Sequence, residues 1–228
     1  IMTVDTSHDI YSSEPSITVA DLQEDFQLST FIAMDRPKHD EQRAVVNPAV
    51  RAEQLREFEP VIRERTCEVL DSLPIGEEFN WVDKVSIELT TRMLATLFDF
   101  PFEDRAKLTR WSDVTFAIPG LGVVDSEEQR RAELLECLAE FTELWNQRVN
   151  EEPKGDFISL LAHGSATQEM DPMEYLGNVL LLIIGGNDTT RNSMSASVLC
   201  QNLYPDQFEK LKANPKLMHN MVSETIRW

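Results

Sequence analysis

Cysteine is scarce here, and its spacing is uninformative. Cys67, Cys137 and Cys200 lie far apart in a chain of 228 residues with no CxxC, so the sequence carries neither a disulfide framework nor a zinc ribbon. A reducing compartment is the simpler setting for such a chain. The four histidines, His8, His39, His163 and His219, are scattered. Without an HExxH or a Glu-x-x-His pair, zincin-type and carboxylate-bridged di-iron chemistry are excluded. Positive charge is in short supply: 21 basic against 40 acidic residues give a net charge of −19. Such a chain repels nucleic acid, and no basic stripe offsets the deficit, although a basic partner or docking face is compatible with it. Long apolar runs are missing too. Val179 to Ile184 is the longest near-continuous one, far too short to span a bilayer. No N-terminal stretch reads as a signal peptide, and the chain reads as cytoplasmic. Convincing strands, repeats and low-complexity tracts are also absent.

What is present is helix. The composition, 42% hydrophobic and 27% charged, is that of a soluble globular protein long enough to bury a full core. Residues 1–34 are weakly patterned and read as loops with one or two short turns; from about His39 the pattern is helical. Leu55, Phe58, Val61, Ile62, Val69 and Leu70 mark one helix that Pro74-Ile75-Gly76 stops. Asn80 with Asp83 caps a second, running through Leu97. Pro101 opens a third, which reaches about Ile118 before Pro119-Gly120. Ser126 with Gln129 forms a capping box for a long charged helix to about Asn150, its charges read as a solvated face. Phe157 to Ala162 is a short helix. Asp171-Pro172-Met173-Glu174 then starts a helix of some thirty residues, to about Leu203, roughly 45 Å long. Asp206 to Ala213 and a last helix beyond Asn214-Pro215 follow. Neither Ile1 nor Trp228 is a natural boundary, and the chain reads as a piece of something longer.

The thirty-residue helix carries the most informative segment, Gly185-Gly186-Asn187-Asp188-Thr189-Thr190. Each glycine costs a helix about 1 kcal/mol relative to alanine. An acid and two hydroxyls follow where apolar side chains are expected, and a buried aspartate needs a partner. Two readings fit. The glycines admit a large flat group to the backbone, or let the helix widen, beside a proton donor or acceptor in an apolar wall. A threonine bonding an earlier carbonyl helps to open the ladder. Alternatively, the glycines mark a tight helix crossing and Asp188 bonds locally. Two further pairs share helical faces. His39 and Arg43, four apart, either clamp an anion or pair with Asp35 and Asp40 nearby. Glu224 and Arg227, three apart, pair with each other or share an outside partner.

Taken in order, His39-x-x-x-Arg43, Gly185-Gly186-Asn187-Asp188-Thr189 and Glu224-x-x-Arg227 resemble three landmarks of bacterial cytochromes P450. The resemblance extends over essentially the whole chain. Phe31-Ile32-Ala33-Met34-Asp35, Asn80-Trp81-Val82-Asp83 and Leu182 to Asn192 resemble, more narrowly, the soluble bacterial members that hydroxylate terminal carbons of medium-chain alkanes. The resemblance implies a mainly α, incomplete P450 fold: one partial domain over 1–228, the central portion, ending at the Glu-x-x-Arg helix. It implies haem b, with His39 and Arg43 on a haem propionate and Gly185 and Gly186 letting the distal helix pass close to the haem. Asp188 and Thr189 take the proton-relay positions over the oxygen site, and Glu224 and Arg227 form a structural ion-pair network. The first forty residues border the substrate, and Ile118 to Val124 lie between the helices of the access lid. Ferredoxin and ferredoxin reductase supply electrons from NAD(P)H, and O2 and a hydrophobic small molecule are the substrates. The family's axial cysteine lies in a glycine-rich loop expected beyond Trp228, so no metal ligand is assigned to this chain, and the chain alone is expected to be inactive. Alternatives are hydroxylation of fatty acids or terpenes, and a non-catalytic helical interaction module.

Overall fold

A computed structural model describes residues 1–17 and 25–228. Ten α-helices account for most of it: α1 (Met2–Thr6), α2 (Lys38–Val46), α3 (Ala52–Asp71), α4 (Glu88–Phe98), α5 (Ala106–Thr115), α6 (Glu127–Arg148), α7 (Phe157–His163), α8 (Pro172–Leu203), α9 (Pro205–Ala213) and α10 (Met218–Arg227). No strand occurs among the described residues.

The start signals act as the sequence implies. The Asp171 carboxylate accepts from the amides of Met173 (2.9 Å) and Glu174 (3.0 Å), and Pro172 opens α8. Ser126 accepts from Gln129 N–H (3.1 Å), while the Gln129 side chain accepts from Asp125 N–H (2.8 Å). Asp156 caps α7 by accepting from Ser159 N–H (2.9 Å).

Two boundaries differ from the sequence reading. Asn80 caps a π-helical turn, Val82–Ile87, before α4 begins, so the pitch loosens where α8 packs against it. The helix after Pro101 breaks in two: a 3₁₀ turn over Phe102–Asp104, then α5, which stops at Thr115 instead of Ile118. Phe116 to Val124 is a loop with glycines at positive φ, 80° at Gly120 and 95° at Gly122, conformations that stop helix.

The core sits between α4, α5, α6, α7 and the first half of α8. Phe98, Phe100, Trp111, Phe141 and Phe157 stack edge-on and offset, with ring centroids 5.1 to 6.0 Å apart. Losing one such ring costs about 3–5 kcal/mol. Much of the charge on α6 is not a solvated face. Glu133 takes both arms of Arg110 (2.6 and 2.7 Å), and Glu140 takes Lys107 (2.5 Å), tying α6 to α5. The long helix α8 packs against α4, α5, α6, α9 and α10. Tyr175, Leu176, Val179, Leu180 and Ile183 bury its N-terminal half.

Candidate functional site

Beyond Ile184 the two sides of α8 diverge. One stripe, Gly185, Thr189, Asn192, Ala196, Leu199 and Leu203, follows alternating four- and three-residue steps and stays open to solvent, with only Ala196 half-buried. Its first four residues are small or short. A Cβ added to Gly185 meets nothing within 4 Å, so its missing side chain faces open space. Gly186 differs: a Cβ there lies 2.7 Å from Leu94 Cδ2 of α4. Thus Gly185 leaves the helix bare and Gly186 admits a neighbouring helix. Nothing in the sequence distinguishes the two glycines.

The helix remains α-helical from Pro172 to Leu203 and does not widen. Thr189 is exposed, and its hydroxyl donates to Gly185 O at 3.2 Å. Asp188 does not stand in a purely apolar wall. Its Oδ1 lies 2.5 Å from Arg191 Nη2, and the same nitrogen donates to Asp113 Oδ1 of α5 at 2.8 Å. The contact with Arg191 is close but misaligned, so Oδ1 has charge compensation without a directed hydrogen bond. Beside this ionic group lies an open cleft of about 490 Å³ whose apolar wall comes from the α5–α6 loop: Phe116, Ile118, Leu121 and Val123, with Asp188 and Arg191 at its base.

Asn187 escaped the sequence reading. It is fully buried, and its Oδ1 accepts from Thr90 Oγ1 of α4 at 3.0 Å, while Nδ2 has no partner among the described residues. An amide between two glycines and an acid gave no period-based signal that it turns inward.

His39 and Arg43 sit on α2. His39 Nδ1 lies 2.7 Å from Phe31 O. A carbonyl only accepts, so Nδ1 carries the hydrogen and Nε2 faces away from that bond. The Arg43 side chain is exposed and has no ion pair or hydrogen bond among the described residues; Asp40 pairs instead with Arg36 (3.0 Å) and Asp35 with Ser12 (2.5 Å). The surface-pair alternative therefore does not hold for Arg43. The Ser12 hydroxyl and the Ser13 amide hold the Asp35 carboxyl below its usual range.

Glu224 and Arg227 form a bidentate pair (2.7 and 2.5 Å), each more than 60% exposed. Among the described residues this is an isolated pair and not a wider network. Glu224 borders a second groove, about 520 Å³, between α8, α9 and α10, which also exposes Cys200, Phe208, Met221 and Trp228.

No group of three or more His, Cys, Asp or Glu residues among the described ones could hold a metal. Cys137 is unsuited to the task. Burial, then Glu140 and Glu136, push its thiol well up, which keeps it protonated. Nor is any described helix long and apolar enough to cross a membrane.

No protein-family model matches the chain. Solved structures and curated proteins do. CYP153D17 from Sphingomonas sp. PAMC 26605 is 47% identical, with a TM-score of 0.87 over 100% of this chain and 58% of its own. Cytochrome P450-153 from Novosphingobium aromaticivorans is 46% identical, with a TM-score of 0.81 over 93% of this chain and 53% of its own. Linalool 8-monooxygenase of Pseudomonas putida is 30% identical over 203 residues, 86% of this chain and 48% of that protein. The chain spans about half the length of the curated relatives it matches. With its helical order superimposable on theirs and its three motifs in sequence, this chain belongs to the cytochrome P450 family, corresponds to an incomplete, mainly α part of that fold, and is kin to the CYP153-type members.

Proposed function

We propose that the protein formed with this chain is a haem-dependent monooxygenase that hydroxylates the terminal carbon of a medium-chain alkane. Family membership implies haem b, and the residues present suit its flat face and its carboxylates. Gly185 leaves the open stripe of α8 bare, Thr189 lies one turn on, and the Arg43 side chain is a cation without a partner among the described residues. His39 offers Nε2 on the side away from Phe31 O. In this reading His39 and Arg43 would hold a propionate, and Gly185 would leave room for the ring. Gly186 contributes by letting α8 seat on Leu94. Glu224 and Arg227 brace α10 and take no part in the chemistry.

The observation that carries the reading is Asp188 and Thr189 together. They put an acid beside an apolar cleft and a hydroxyl on the bare face of one helix, one residue apart. When bound, haem supplies the activation of O2. The overall reaction takes R–H, O2, two electrons and two protons to R–OH and water, so the chain must deliver protons. Asp188 Oδ1 is held by Arg191, which leaves Oδ2 to collect a proton from the cleft side. The Thr189 hydroxyl, anchored on Gly185 O, passes a proton on at Oγ1 toward the open face. Electrons come from a ferredoxin and its reductase.

The test is product analysis with the haem-loaded protein and both redox proteins, offered octane, a fatty acid of equal length and linalool. Preferential conversion of the alkane to its terminal alcohol supports the reading; preference for the acid or for linalool overturns the substrate assignment. The rival substrate class has one specific point in its favour, the similarity to linalool 8-monooxygenase. Thr189→Ala should divert reducing equivalents to peroxide and water. Coupling as tight as in the parent protein removes the relay role from Thr189.

A further inference from the structure

A line of hydrogen bonds runs from the first turns of α8 to His39. Asn178, fully buried, accepts from Phe31 N–H through Oδ1 (2.8 Å) and donates through Nδ2 to Gln42 Oε1 (3.0 Å) and Met170 Sδ (3.2 Å). Gln42, also buried, donates through Nε2 to Glu174 Oε1, and Lys38 Nζ donates to Glu174 Oε2 (2.9 Å). At the other end Phe31 O accepts from His39 Nδ1 (2.7 Å).

The polarity of this line is fixed from both ends. The Phe31 amide can only donate, so Asn178 must turn its oxygen toward it. The Glu174 carboxylate can only accept, so Gln42 must turn its nitrogen toward that end. Between them one orientation of each amide satisfies both demands, and it is the one observed. Phe31 is thereby pinned by its N–H and by a side chain buried in the core, its ring 6.3 Å edge-on from that of His39. Its carbonyl, which also accepts from Met34 N–H (3.2 Å), faces His39 Nδ1. Gly177 supplies the approach: a Cβ there would run into Ser29 O, so only glycine lets α8 come this close to the segment leading into Phe31.

We infer that Asn178 is a positioning residue that acts through Phe31 to fix the tautomer and direction of the His39 ring, keeping hydrogen on Nδ1 and presenting Nε2. The inference rests on the reading of His39 as a carboxylate partner only for its purpose, not for its geometry. Helix α8 would then serve the cofactor twice: at Gly185 by staying bare, and two turns earlier by aiming the histidine on α2.

The test reads the ring nitrogens of His39 by ¹⁵N chemical shift in the full chain, well above the ordinary imidazole range so that the ring is neutral. Nδ1–H should be the dominant tautomer. Asn178→Leu removes the three hydrogen bonds of that amide at nearly constant volume, and Asn178→Ala removes them by truncation; in each, Nδ1–H should fall to a minor form. Val179→Ala, equally buried on the same helix but outside the line, should lower stability and leave the tautomer alone. A wild-type ring mainly protonated at Nε2, or a tautomer unmoved in Asn178→Ala, overturns the inference; should Asn178→Leu not fold, these two results still decide. A separate measurement addresses purpose. If haem and its propionate dimethyl ester bind the protein equally well while the tautomer behaves as stated, the carboxylate role of His39 fails and the positioning by Asn178 stands.

Discussion

Leu94 of α4 closes over Gly186 of α8, with its Cδ2 2.7 Å from where a Cβ would stand, while the adjoining Gly185 has nothing within 4 Å. Two neighbouring glycines thus answer to different demands. Gly185→Ala should gain the helix preference of alanine, about 1 kcal/mol, at no steric cost. Gly186→Ala gains the same preference but must displace a methyl group that is itself buried, a packing cost of about 1–3 kcal/mol. Urea unfolding should rank Gly185→Ala above the parent chain and Gly186→Ala below Gly185→Ala. The reverse order would mean that Leu94 yields freely. Only Gly185→Ala should weaken haem binding without weakening the fold.

Arg191 is shared between Asp113 and Asp188, and is the cation that ties α5 to this part of α8. Its side chain is 17% exposed, while Asp113 and Asp188 are 36% and 33% exposed, so replacement leaves two partly solvated carboxylates without their shared cation. Arg191→Ala should cost about 1–2 kcal/mol after discounting for partial exposure. Asp113→Asn should cost less, because asparagine still accepts and the arginine keeps Asp188. Equal losses in the two variants would show that the contact to α5, and not the charge balance at Asp188, carries the energy.

Helices with strong chemical punctuation were legible in the sequence. The cap at Asp171 with Pro172, and the box of Ser126 with Gln129, rest on local hydrogen bonds that a few adjacent residues determine, and both ends lie where those residues put them. The family followed from three spaced motifs. The π turn over Val82–Ile87 was not legible, since it answers to the contact with α8. Nor was the sharing of Arg191 between Asp188 and Asp113, because Asp113 is 78 residues from Arg191 along the chain and only the fold brings it near. Gly177 and Asn178 passed as ordinary helix positions for the same reason: their partners, Ser29 and Phe31, precede them by some 150 residues.

The three cysteines should separate cleanly by reactivity. Cys67 is exposed on α3, Cys200 is half-buried in the α8–α10 groove, and Cys137 is buried with its thiol pushed up. Since the thiolate is the nucleophile, an aromatic disulfide reagent should modify Cys67 first and Cys137 only on unfolding. Rapid modification of three thiols in the native chain would contradict the packing of α6 on Trp111 and Phe98.

Acid should loosen the chain through carboxylates that arginines hold. Burial alone would raise the Glu88 carboxyl, but hydrogen bonds from Arg92 Nε (2.7 Å) and Arg105 Nη2 (2.9 Å) outweigh it, and the net shift is downward from an ordinary value of 4.5. Arg110 and Gln129 lower Glu133 in the same way, against a smaller opposing effect of burial. A group whose folded value lies below its unfolded value binds more protons when unfolded, so it adds stability above the unfolded value. That contribution fades as the pH falls below 4.5 and through the folded value. Glu88→Gln removes the titration while keeping shape and one acceptor. At neutral pH the variant should be less stable than the parent chain, because it lacks the ionic bonds to both arginines. As the pH falls the parent loses the same bonds by protonation, so the two urea midpoints should converge. A gap that widens in acid would mean that Glu88 is held by its neighbours in the protonated form, contrary to the two guanidinium contacts seen here.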